Sequence, residues 1–300
     1  MNLATLLTEA RNPLTAHIDE LPTLDMLRLI SDEDRKAVAS VVATLPDIAK
    51  AVDEIARRFE DGGRLFYIGA GTSGRLGVLD ASECPPTFSV PPDLVQGLIA
   101  GGDSALRKSS ESSEDSPEQG AADLAAAGFT GQDALVGIAA SGRTPYVLGA
   151  LQHARSLGAI TIALTCVPDS PMAALTDIAI TPLTGAEVLT GSTRLKAGTA
   201  TKLVLNMVST GVMIKTGAVY GNLMVNVQPT NAKLLDRAQR IIMAATGLEG
   251  PEAQPIAAKL LQESNSVKTA IVMQKLNLDR PTAEAKLKTH HGNLSTLLHP

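Results

Sequence analysis

The chain reads as an α/β protein built on a doubly wound parallel sheet, and three observations carry that reading. Short apolar runs at 64–69, 94–100, 134–139, 159–165 and 177–182 are mostly separated by helical patterns, the alternation such a sheet requires. The first run, Leu65-Phe66-Tyr67-Ile68, passes straight into Gly69-Ala70-Gly71-Thr72-Ser73-Gly74-Arg75-Leu76. The third ends in Ser141-Gly142-Arg143-Thr144, and Pro145 then opens a helical pattern at a position where its missing N–H costs nothing. A strand, a glycine-rich turn and a helix aim N–H groups and the positive end of the helix dipole at one place. That is an anion site, most often a phosphate site.

The elements follow in order. Residues 1–31 read as an irregular arm with a short helix at 24–30, and the Asn12-Pro13 and Leu21-Pro22 steps suit extended chain. A helical pattern covers 32–44. Another starts at Pro46 and stops at Gly62-Gly63, with Ile48, Val52, Ile55 and Phe59 on one stripe. After the sheet, 195–219 reads as one long helix. Val204, Leu205, Met207, Val208, Val212, Met213 and Ile214 surround it almost completely, so it is expected to be buried in the domain or in a subunit interface. Residues 234–246 form a further helix ending near Gly247 and Gly250-Pro251, and the remainder reads as short helices. The expected organisation is an N-terminal arm and helix at 1–45, a central domain at 46–247 and a small C-terminal helical subdomain at 248–300.

Composition excludes several classes. The formal charge is −5, aromatics make up 2 % and there is no tryptophan, which argues against a basic nucleic-acid face or a base-stacking platform. Cys84 and Cys166 are the only cysteines and do not form a Cys-x-x-Cys pair, so neither a disulfide framework nor a zinc site is indicated. The N-terminus carries Glu9, Arg11 and Asp19 without an apolar signal region. No apolar run reaches the roughly 18 residues that span a bilayer. A soluble, cytoplasmic protein without membrane or nucleic-acid partners is expected.

The identity of the anion comes next. The first turn satisfies G-x-G-x-x-G, the dinucleotide fingerprint, which also asks for an acid about 20 residues on, at the end of the next strand. Here that region is the proline-broken Phe88-Ser89-Val90-Pro91-Pro92-Asp93, and the strand begins only after the acid. Thr72 and Ser73 also crowd a turn that a pyrophosphate needs slim. A third hydroxyl cluster, Thr190-Gly191-Ser192-Thr193-Arg194-Leu195-Lys196, precedes the long helix. Each turn alone could be an ordinary helix cap. Three with matching chemistry, at the carboxyl ends of one parallel sheet, predict a shared phosphate pocket.

Two carboxylates stand out. Glu83 lies in Asp80-Ala81-Ser82-Glu83-Cys84-Pro85-Pro86, where Pro85 is expected to end the helix. A helix C-terminus is a poor place for an anion, which suits Glu83 to carry a proton. Glu114 lies in Ser109-Ser110-Glu111-Ser112-Ser113-Glu114-Asp115-Ser116, a run that alone reads as solvated acidic surface. Spacing does not select Glu114 over Glu111 or Asp115. Two poised carboxylates beside a sugar phosphate suit proton abstraction next to a carbonyl and protonation of a leaving group.

These segments resemble those of the N-acetylmuramic acid 6-phosphate etherases. The resemblance is carried by Gly69–Leu76, Leu79–Thr87, Gly97–Gly102, Glu114-Asp115-Ser116, Val136–Val147, Gly185-Ala186-Glu187, Thr190-Gly191-Ser192, Lys196–Thr199 and Gly221–Val225. Thr8-Glu9 and Ile18-Asp19 match as well, and coverage runs from residue 8 to about 247. It implies a sugar isomerase (SIS) domain, a three-layer sandwich with a parallel sheet between helices, in a homodimer. It implies cleavage of the D-lactyl ether of N-acetylmuramic acid 6-phosphate to N-acetylglucosamine 6-phosphate and D-lactate, in cell-wall sugar recycling, with no metal or cofactor. By motif match Glu83 and Glu114 are the catalytic pair; the expected helix-end position assigns Glu83 as the acid, with Glu114 as the base. Gly71, Thr72, Ser73, Ser141, Gly142, Thr144, Ser192 and Thr193 are the phosphate candidates, with Gly71 and Gly142 as backbone donors. Arg75, Arg143 and Lys196 are nearby cations, equally suited to helix ends or a dimer contact. The rivals are an aldose–ketose isomerase on the same fold and a non-catalytic sugar-phosphate sensor. No helix-turn-helix pattern precedes the domain to support the sensor.

Overall fold

The computed structural model describes residues 7–108 and 113–299. It divides into two compact units, one of Met1–Ser82 and Pro92–Gly211 and the other of Glu83–Pro91 and Val212–Pro300.

The first unit holds the sheet. Two helices, α1 (Thr23–Val42) and α2 (Leu45–Glu60), precede β1 (Leu65–Gly69), and α3 (Gly71–Phe88) starts in the glycine-rich turn. Then come β2 (Val95–Ile99), α4 (Pro117–Ala126), β3 (Ala134–Ile138), α5 (Pro145–Ser156), β4 (Ile160–Leu164), α6 (Pro171–Leu175), β5 (Ile178–Ile180) and α7 (Lys196–Lys215). All five apolar runs expected to be strands are strands. They pair in parallel in the order β2-β1-β3-β4-β5. β1 and β3 are buried at every position, as parallel strands covered on both faces must be. The core on one side gathers Phe66, Leu124, Tyr146, Val147 and Leu151. α2 packs on β4 and β5, and Ile48, Val52 and Ile55 on its apolar stripe are buried.

This strand order fixes where a ligand can bind. The chain leaves β1 toward β2 and then returns to the other side of β1 for β3, so the crevice lies between the β1 and β3 turns. The register pairs Gly69 with Ile138, which brings the two hydroxyl-rich turns side by side at the carboxyl end of the sheet.

The second unit is helical. It contains a short antiparallel pair, β6 (Val219–Tyr220) and β7 (Leu223–Met224), followed by α8 (Ala232–Thr246), α9 (Ala253–Ser264), α10 (Val267–Leu276), α11 (Arg280–Thr289) and α12 (Leu294–Leu298). Its core joins Ile241 and Ile242 of α8 with Leu261, Ile271, Leu287 and Leu294. Among the described residues no helix is long and apolar enough to cross a membrane.

The structure corrects four expectations. α1 is continuous where the sequence suggested an arm helix and a separate one, because Ile30-Ser31-Asp32 contains no breaker. α3 does not end at Glu83. It runs through Pro85 and Pro86 to Phe88 and stops where Ser89 turns left-handed at φ 52°, with the Ser89 N–H donating to the Pro85 carbonyl. The prolines remove two donors near the helix end without breaking it. α7 stops at Lys215, not at residue 219, because Gly217 sits at φ 77°; within the single chain Met207 is 40 % and Ile214 51 % exposed, which leaves the subunit-interface alternative open. Finally, α8 shares its apolar core with the C-terminal helices, so the helical unit begins well before residue 248.

Candidate active site

The cavity is built upward from the carboxyl ends of β1 and β3. The first N–H groups of a helix have no intrahelical acceptor, and those of Gly71, Thr72 and Ser73 open α3 at the end of β1. Gly71 is at φ 52°, a left-handed conformation that favours glycine. A Cβ there would stand 3.3 Å from Glu114 Oε1, so the Glu114 carboxylate lies against the first turn of α3.

Glu114 is held there by its own backbone. Its carbonyl accepts the Tyr146 N–H at 3.0 Å, tying it to the start of α5. Two residues on, Ser116 caps α4 by accepting the Gln119 N–H at 3.1 Å. Residues 109–112, including the alternative Glu111, lie outside the described residues. Of the two described alternatives, Glu114 and Asp115, Glu114 is the one that lines the cavity.

The cavity holds about 240 Å³. Its wall brings together Gly71, Thr72, Ser73, Glu114, Ser141, Thr144 and Thr193, with Thr8, Glu9, Ala70, Ala139, Ala140, Ala197, Gly198 and Thr201. All three hydroxyl-rich turns therefore contribute to one space. A positive helix end and a set of neutral hydroxyls bind an anion without a counter-charge, and no lysine or arginine is among the lining residues.

Several candidates are placed elsewhere. Ser192 is outside the wall. So is Gly142, whose N–H donates to the Ala139 carbonyl at 2.9 Å and so cannot serve as a phosphate donor. Its φ of 64° and the close approach of Ser170 make it a turn requirement instead. Arg75 donates to the carbonyls of Ala105 and Leu106 at 2.7 and 3.0 Å and joins α3 to the turn after β2. Lys196 is buried in an ion pair with Glu33 at 2.7 Å and also donates to the Ala186 carbonyl. Arg143 is not in the wall. Glu83 is exposed and is not among the residues lining this cavity.

The start of α7 is closed by a side chain rather than left for a ligand. Glu187, 1 % exposed, accepts the N–H groups of Lys196 and Ala197 at 3.0 and 2.9 Å. Thr8 and Glu9 were legible only as part of the family pattern, because nothing local marks an N-terminal arm as a cavity wall. A larger space of about 650 Å³ beside β2 is lined by Gly97, Asp103, Gln119, Asp123 and Tyr146. Burial and the Asp123 carboxylate push the Tyr146 phenol above its ordinary range, so this tyrosine stays neutral. That space contains none of the candidate site residues.

Comparisons with known proteins give the fold and the family. Residues 47–155 match the family described as the glucokinase regulatory protein N-terminal SIS domain, and residues 116–210 the SIS domain family. A phosphoheptose isomerase from Francisella tularensis shares the fold, with a TM-score of 0.51 at 21 % identity over 64 % of this chain and 98 % of that one. An N-acetylmuramic acid 6-phosphate etherase from Cronobacter sakazakii is 55 % identical over 100 % of both chains. The one from Photorhabdus laumondii is 54 % identical over 97 % of this chain and 96 % of its own. With more than half of all positions shared along the whole length, the chain belongs to the N-acetylmuramic acid 6-phosphate etherase family.

Proposed function

We propose that the protein cleaves the D-lactyl ether of N-acetylmuramic acid 6-phosphate by elimination and water re-addition, giving N-acetylglucosamine 6-phosphate and D-lactate. One observation carries the reading: the Glu114 carboxylate faces a hydroxyl-lined anion cavity at the start of α3. An ordinary ether resists hydrolysis because an alkoxide leaves poorly. In the open-chain aldehyde the carbonyl acidifies the C2 proton, so loss of the C3 ether becomes accessible. Glu114 takes that proton. Glu83, which the motif match pairs with Glu114, is the remaining carboxylate to deliver a proton to the departing lactyl oxygen. Water then adds to the unsaturated aldehyde with the roles reversed. Each positioned acid or base contributes about 10²–10⁴-fold.

The phosphate is held by the α3 N-terminus with Thr72, Ser73, Ser141, Thr144 and Thr193. We place the reaction in cytoplasmic recycling of cell-wall sugars, and the active form as a homodimer. The exposed Met207 and Ile214, seven residues apart on α7, supply apolar surface for such a contact. A concentration-independent monomer mass by light scattering would rule the dimer out.

Proton NMR of the substrate with enzyme in heavy water tests the chemistry. Lactate release with deuterium at C2 of the product is expected. The Glu83→Ala variant is expected to exchange the C2 proton without releasing lactate. Wild type that releases no lactate and exchanges nothing would overturn the etherase reading in favour of a sugar-phosphate sensor.

A further inference from the structure

The N-terminal arm is pinned beside the cavity. Asn12 Nδ2 donates to Glu33 Oε2 at 2.9 Å, and Thr15 Oγ1 donates to the Val188 carbonyl at 2.9 Å. Just before this clamp, Thr8 is 2 % exposed although Leu7 and Glu9 on either side are exposed. Its Oγ1 is buried with no hydrogen-bond partner among the described residues, and Thr8 lines the phosphate cavity. A buried hydroxyl left unpaired is destabilising, a penalty that a ligand oxygen in the cavity would remove. Glu9 lines the same wall. A Cβ on Gly191 would stand 3.1 Å from its Oε2, so its carboxylate lies against the third hydroxyl-rich turn.

The charges assign the two residues different work. The cavity already holds the Glu114 carboxylate, and no lysine or arginine is among its lining residues. A phosphate dianion against Glu9 would face an uncompensated like charge. Glu9, an acceptor when ionised, fits a neutral hydroxyl of the sugar instead, and Thr8 can donate to the phosphate.

We infer that the N-terminal arm is part of the substrate site, with Thr8 Oγ1 donating to the phosphate and the Glu9 carboxylate accepting from a sugar hydroxyl. This rests on the etherase reading of the cavity, and wild-type lactate release tests that reading separately. The test of the arm is steady-state lactate release by full-length Thr8→Val, Thr8→Ser and Glu9→Gln, with inorganic phosphate as a competitive inhibitor. Thr8→Val is expected to raise KM about 10- to 100-fold, the range for a lost hydrogen bond to a charged group. It should weaken phosphate inhibition by a similar factor while kcat changes little, and Thr8→Ser should restore both. Glu9→Gln is expected to raise KM and leave phosphate inhibition as in wild type. Wild-type KM in either Thr8→Val or Glu9→Gln would overturn the inference. Equal weakening of phosphate inhibition by both would also overturn it, because the arm would then act only as scaffold. Should Thr8→Val fail to fold, the exposed Glu9→Gln variant still decides the outcome for the arm.

Discussion

Replacing Lys196 with methionine tests whether this cation supports the fold or meets the substrate. Its ammonium is 2.7 Å from Glu33 Oε2, and the side chains are 1 % and 2 % exposed. It also donates to the Ala186 carbonyl at 2.7 Å, while Asn12 donates to the same Glu33 oxygen at 2.9 Å. Removing one member of a buried pair leaves the other charge uncompensated and costs about 3–5 kcal/mol. Lys36 also pairs with Glu33, which places the loss near the lower end, about 3 kcal/mol. Against a typical total of about 5–15 kcal/mol, that is a large fraction.

Because the chain has no tryptophan, urea unfolding followed by far-UV circular dichroism is the suitable assay. Lys196→Met should shift the transition by about 3 kcal/mol. The double variant Lys196→Met/Glu33→Gln should lose less than the sum of the two single variants, since neither charge is then buried alone. The effect depends on acid. Burial raises the Glu33 carboxyl, but hydrogen bonds and charge from Lys196 and Lys36 outweigh it and hold the group below its usual 4.5. Its contribution is fully present above about 4.5 and lost as pH falls through the lower folded value. Wild type and Lys196→Met should therefore converge in stability in acid. Wild-type stability in Lys196→Met, with a raised KM, would refute the reasoning and return Lys196 to the substrate.

Other outcomes follow from single contacts. Glu114→Ala should lower the rate of lactate release about 10²–10⁴-fold with little change in melting temperature, checked by an enzymatic lactate assay and calorimetry. Gly142→Ala forces a side chain into a left-handed turn and against Ser170. It should cost about 3 kcal/mol in denaturant unfolding. Burial lowers the Lys268 ammonium to about 8. Between that value and its ordinary 10.5 the unfolded chain holds a proton that the folded chain has shed, so stability rises with pH across this window. The melting temperature of wild type relative to Lys268→Met should increase from pH 8 to 10, and a flat difference would contradict the assignment.

The sheet was legible because its signals are local. Leu65–Ile68 and Ala134–Ile138 are uninterrupted apolar runs followed by glycine and hydroxyls, and burial on both faces leaves no other pattern for a parallel strand. The α3 and α5 starts were legible for the same reason, through Gly71 and Pro145. The end of α3 was not: Pro85 is a strong local signal, but near a helix terminus its missing donor costs too little to stop the chain. The extent of α7's burial was also hidden, since composition gives apolarity and not which face finds a partner.

At the cavity the division is sharper. The chain's own letters determined that three turns carry hydroxyls, that one opens a helix with glycine, and that acids follow nearby. Only the tertiary structure selected Glu114 over Asp115 for the wall, committed Lys196 to Glu33 and Arg75 to backbone carbonyls, and spent the Gly142 N–H on Ala139. Only it brought Thr8 and Glu9 to residues more than sixty and a hundred positions away. Local sequence specifies the donors and acceptors a segment offers. Which of them remain for a ligand depends on what the rest of the chain has already paired, and that is decided when distant segments pack.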